Sequence, residues 1–137
     1  MRTLAVLFLL AACATTPPAA PAERLHGCWI NRDGAGRSMR WLPDREHPEV
    51  LNGVLHDMRD HSHTRYVLTP TAEGDLMCEL EPEGGVTRRC WAVAAGDGGS
   101  LEGGRVFIDQ YGESLRISVA GDGPERTIFQ GRRDGCD

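Results

Sequence analysis

The 137-residue chain contains no lysine, so all 15 of its basic residues are arginine. That excludes Schiff-base chemistry and a P-loop, both of which need the lysine amine. The arginines are scattered and outnumbered by 20 Asp and Glu. An acidic chain without a basic stripe is not expected to bind nucleic acid. No C-x-x-C is present, which removes thioredoxin-type redox chemistry. G-x-S-x-G and H-E-x-x-H are missing, and "GGSLEG" and "GESLR" both break the first pattern. Glu79 and Glu81 alternate as acids do on the outer face of a half-exposed strand. No enzymatic activity and no cofactor are therefore expected. The longest apolar run, Leu4 to Ala12, is far short of the roughly 20 residues that cross a bilayer as a helix.

That run follows Arg2 and precedes a proline-rich stretch, the layout of a signal peptide. It ends Leu10-Ala11-Ala12-Cys13, which resembles the bacterial lipobox. The resemblance implies a diacylglycerol on the Cys13 thiol, cleavage between Ala12 and Cys13, and acylation of the new amine. The next residues, "ATTPPAAPAE", form an aperiodic Pro/Ala segment that reads as an extended tether. Ala14, rather than aspartate, follows the cysteine. By resemblance to the lipoprotein sorting rule of Gram-negative bacteria, this implies the outer membrane, with the chain facing the periplasm. The expected organisation is a signal peptide over 1–12, a lipidated cysteine and tether over 13–23, and one folded domain over 24–137.

Setting Cys13 aside leaves Cys28, Cys78, Cys90 and Cys136, an even number in an oxidising compartment. Two disulfides are the natural reading, and three pairings exist on paper. A four-thiolate zinc site has the count but lacks the paired short spacing.

From Glu23 onward no long segment has helical periodicity. Nine short runs recur between Gly, Asp and Pro clusters: "HGCWINR", "RSMRWL", "VLNGVLHDM", "TRYVLTP", "DLMCEL", "VTRRCWAVA", "RVFID", "SLRISVAG" and "RTIFQGRR". Leu115, Ile117 and Val119 alternate with Arg116 and Ser118, a half-buried strand. Gly53 inside an apolar run points to a bulge or a close backbone approach. The expected fold is all-β, a small antiparallel up-and-down barrel of eight or nine strands, most joined like hairpins. In such a barrel the first and last strands are neighbours, so Cys28 pairs with Cys136. Cys78 and Cys90 flank "EPEGG"; a three-residue loop (Glu83, Gly84, Gly85) sets them opposite each other.

The domain opens with Gly27-Cys28-Trp29, and its last strand ends in Arg132-Arg133. This resembles the lipocalin and calycin pattern of a G-x-W motif on the first strand and a basic residue on the last. The resemblance implies an arginine stacked over the Trp29 indole. The wider layout is similar to a group of uncharacterised bacterial lipocalin-like domains, which brings no activity with it. Arg40 stands where that pattern has a glutamate before the second tryptophan. "RRCWAVAAGDGG" also resembles the cysteine and W-x-V of barrel-shaped metalloprotease inhibitors, implying an inhibitor of a protease or lysozyme as an alternative function. No inhibitory residue carries across.

His56, His61 and His63 crowd one stretch, "HDMRDHSHTRY". His61-x-His63 on a strand would place both imidazoles on one face, a spacing suited to zinc or copper. The competing reading is a solvated hairpin tip. Trp29, Trp41, Tyr66 and Trp91 could line a ligand cavity or fill the core, since a barrel this size has room for little more than side chains. The expected function is non-catalytic binding of a small apolar ligand or an envelope protein, with the membrane engaged through the lipid anchor.

Overall fold

The computed structural model describes residues 19–33, 36–94, 104–121 and 123–136. The segment read as a signal peptide, Cys13 and most of the segment read as a tether lie outside the described residues. The chain folds into one closed barrel of nine strands. In chain order these are β1 (Gly27–Asn31), β2 (Arg37–Pro43), β3 (Leu51–Asp57), β4 (Ser62–Thr71) and β5 (Gly74–Leu80). They are followed by β6 (Thr87–Val93), β7 (Arg105–Tyr111), β8 (Ser114–Ala120) and β9 (Arg126–Asp134). Each overlaps one of the nine runs anticipated from the turn spacing.

The order around the ring is the order in sequence, and β9 returns to pair antiparallel with β1. One junction departs from the up-and-down expectation. β6 and β7 run parallel, through only Ala92–Arg105 and Val93–Val106. Strand direction cannot alternate all the way round a ring of nine, so at least one neighbouring pair must be parallel. A parallel neighbour needs a long crossover rather than a tight turn. The connection is residues 94–104, of which 95–103 lie outside the described residues.

Alternation decides the core. Trp29, Met39, Trp41, Leu68, Met77, Trp91, Val106, Leu115, Ile117, Val119 and Phe129 are buried inside the barrel. Trp41 faces Gly53 across the β2/β3 ladder, and a Cβ at Gly53 would meet the indole at 2.7 Å. The glycine in that apolar run is a close approach of backbone to ring, not a bulge.

The chain before β1 departs from the expected tether. Residues Pro21–Leu25 form a short helix, α1. Five residues are too few for a stable isolated helix, so its support is tertiary. Leu25 is fully buried in the barrel core. The Trp29 indole N–H donates to the Leu25 carbonyl at 2.8 Å, and the Arg24 guanidinium donates to the Ile108 carbonyl at 2.6 Å. The second bond falls on β7 beyond the end of β6. Gly104 and Val106 accept backbone bonds from Ala92 and Ala94, so alternate β7 residues face the β6 side. Ile108 is the next of that set, and Arg24 satisfies its carbonyl where no strand continues.

Both disulfides form as anticipated, Cys28–Cys136 and Cys78–Cys90. The hairpin between the second pair is built differently from the three-residue loop expected. Glu81 N–H donates to the Val86 carbonyl, leaving residues 82–85 as the loop. The register then shifts between Glu79 and Leu80, so Glu79 faces Arg89 while Leu80 faces Thr87. Arg88 is the extra residue of this bulge. A longer loop and one bulged residue cancel, and Cys78 still lies opposite Cys90.

Candidate functional site

One end of the barrel is closed by α1 and the first strand. Trp29 pairs with Arg133 across β1/β9, and the guanidinium carbon sits 4.3 Å from the indole centroid. Arg133 also donates to the His26 carbonyl at 3.2 Å. Gly27 makes this possible: its φ is +119°, and a Cβ there would lie 2.9 Å from the Arg133 guanidinium. The arginine expected over the indole is therefore present, and the G-x-W glycine has a steric reason.

Towards the other end the inward positions become polar. Asp57, at the end of β3, accepts from Arg37 on β2 at 3.2 Å and from Arg59 in the following turn at 2.9 Å. The Arg59 side chain, helped by the Arg59 backbone N–H and by Arg37, holds the Asp57 carboxyl well below the usual carboxylate range. Glu79 on β5 accepts from Arg89 on β6 at 2.8 Å and is 4.0 Å from Arg88. Successive strand residues normally point to opposite faces; the bulge lets both arginines reach one carboxylate. Tyr66 lies across the ladder from Glu79. Burial, with the Glu79 charge beside it, pushes the Tyr66 phenol well above the usual range, against the pull of Arg89, Arg126 and Arg37. In this band each of two carboxylates is flanked by two arginines.

Trp29, Trp41 and Trp91 are at most 1% exposed and Tyr66 is 4% exposed. Their rings belong to one core cluster with Met39, Met77 and Phe129. The Trp41 indole N–H is buried with no hydrogen-bond partner among the described residues, unlike that of Trp29. The open concavities described lie on the outside of the barrel. One, about 600 Å³, runs over β8, β9 and β1 and includes Ile30, Asp109, Arg116, Gln130, Arg132 and Asp134. A second, about 440 Å³, lies between Arg40, Leu42, Asp44 and Asn52. A third, about 290 Å³, is lined by Ser38, Arg40, Val54, His56 and His63, beside the Cys28–Cys136 bridge.

The histidines are arranged differently from the H-x-H expectation. β4 begins at Ser62, and His61 belongs to the preceding turn with φ +57°. His61 and His63 thus do not share a strand face. Instead His56 and His63 are register partners across β3/β4, their rings parallel within 1° and 4.4 Å apart. His61 lies 6.3 Å from His56. Among the described residues, no group of three or more His, Cys, Asp or Glu side chains is placed to hold a metal ion.

No family model matches the chain, and no curated protein or solved structure matches it significantly.

Proposed function

We propose that this chain is a non-catalytic lipoprotein of the bacterial outer membrane, anchored through Cys13, whose lipocalin-like barrel presents its outer face to a protein partner in the envelope. The observation that carries the reading is where space lies. The tryptophans that could have lined a ligand cavity are packed into the core, while the open grooves are outside. Gly27, Trp29 and the Arg133 stack support the lipocalin likeness. The closed nine-strand ring fits the likeness, and its parallel junction departs from it. The lipobox ending at Cys13 and the Pro/Ala tether support the anchor and the address.

Two measurements test this. Mass spectrometry of the mature N-terminal peptide should find an acylated Cys13, and Cys13→Ala should release the chain from the membrane. Photo-crosslinkers at Gln130 and Arg116, in the groove over β8, β9 and β1, should capture the same envelope protein, and one at Glu73, exposed in the turn between β4 and β5, should not. A lipid retained by the purified barrel, with a change in tryptophan fluorescence on its removal, would favour the apolar-ligand reading instead.

A further inference from the structure

We propose that His56 and His63 form a binding site for a divalent transition metal of the zinc and copper class on the outer face of the β3/β4 hairpin. The register brings the two imidazoles directly opposite each other, with centroids 4.4 Å apart. A metal–imidazole nitrogen bond is about 2.0–2.1 Å, which places the centroids of two rings on adjacent positions of one ion about 4–5 Å apart. The observed separation already meets that distance. The rings stack face to face, so both must turn about their Cβ–Cγ bonds for their in-plane nitrogen lone pairs to converge on one ion; His63 is exposed and His56 half-buried.

The surroundings leave room for the rest of the coordination sphere. Both rings line the groove of about 290 Å³, whose wall also carries the Ser38 side chain, the register partner of His56 on β2. Imidazole nitrogen is a ligand of intermediate softness, favoured by zinc, copper and nickel over calcium or magnesium. With two protein ligands, water completes the sphere. Arg40 and Arg65 both pair with Val54, two residues from His56 along β3, and their charges oppose a cation. The site is accordingly built to exchange its ion rather than to hold a structural one. His61 stands outside the pair.

Copper(II) titrated into the full chain in detergent micelles provides the test, read by electron paramagnetic resonance. One ion per chain is expected, with hyperfine splitting from two imidazole nitrogens, and zinc(II) should displace it. His56→Ala and His63→Ala should each weaken binding tenfold or more, and His61→Ala less than threefold. Unchanged circular dichroism in all three variants would show that the fold persists. The same copper signal in the His56→Ala/His63→Ala double variant would overturn the proposal. So would a loss with His61→Ala equal to that with His63→Ala, because the pair would then not be the site.

Discussion

The junction between β1 and β9 is antiparallel, three register pairs long, and tied beside its end by Cys28–Cys136. The junction between β6 and β7 is parallel and two pairs long, and the second disulfide lies one strand away, between β5 and β6. Both junctions join strands that no tight turn connects. The first brings together the two ends of the folded domain, so its contacts must offset the closure entropy of nearly the whole chain. The second exists because nine strands cannot alternate round a ring. The strong fastening sits where the entropic cost is greatest, and the short junction is supplemented locally, by α1 and its Arg24–Ile108 bond.

Opening the two disulfides separately should give the largest difference. They close loops of 108 and 12 residues in sequence separation. On the chain-entropy model their removal costs about 5 and about 3 kcal/mol respectively. Urea unfolding of Cys28→Ala/Cys136→Ala and of Cys78→Ala/Cys90→Ala measures both. Equal losses would mean that the β1/β9 junction holds without its bridge.

Each junction also contains a glycine under close approach. At Gly131 an added Cβ would lie 2.6 Å from the Ile30 carbonyl oxygen and 2.6 Å from the Phe129 ring. At Gly104 it would lie 2.5 Å from the Trp91 ring. Overpacking typically costs 1–3 kcal/mol. Gly131→Ala is expected near about 3 kcal/mol, because backbone of the neighbouring strand cannot turn aside. Gly104→Ala is expected near about 1–2 kcal/mol, because the obstacle is a side chain. Thermal denaturation in parallel would rank them, and the reverse order would make β6/β7 the stiffer junction.

Smaller effects come from the two arginines. Arg133→Met removes the stack on Trp29 and should cost about 1 kcal/mol. Arg24→Met removes a bond to a strand carbonyl but also removes a buried Nε–H that has no partner among the described residues, so a net loss of about 0.5 kcal/mol is expected. Hydrogen exchange should show faster exchange in β7 for Arg24→Met and in β9 for Arg133→Met.

Asp57 supplies a control away from both junctions. Its folded carboxyl ionises below its unfolded value because of Arg59 and Arg37. The stabilisation is complete above the ordinary carboxylate value, about 3.9, and is lost as pH falls through the folded one. Acid titration of stability should therefore be shallower in Asp57→Asn below about pH 4. An unchanged acid limb would remove the Arg59 pairing from the account.

Much of the barrel was legible because strands write a period of two into the chain. "SLRISVAG" displays it openly, and Gly53 announced a bulge or a close approach without deciding between them or naming the ring. Both cysteine pairings followed from adjacency. The Cys78–Cys90 case is instructive: the assumed loop was one residue too short, and the bulge at Arg88 restored the register. Loop length and bulge position depend on local twist and on which carboxylate the arginines can reach, and neither is periodic. The histidines show the same limit. Spacing along the chain suggested His61 with His63, but the turn takes His61 off the strand and the ladder delivers His56.

The sequence by itself determined the class of fold and the strand positions and anticipated the two disulfides, because these depend on alternation and on which strands are neighbours in a closed sheet; the arginine over Trp29 was implied by the lipocalin resemblance, which did not choose between Arg132 and Arg133. Only the tertiary structure decided that the ring has a parallel junction and that Pro21–Leu25 is helical. It also decided that the tryptophans occupy the interior, leaving the grooves outside. A parity constraint acts on the closed ring as a whole, a five-residue helix forms only against a core already built, and the volume left inside a barrel is known only when every inward side chain is in place.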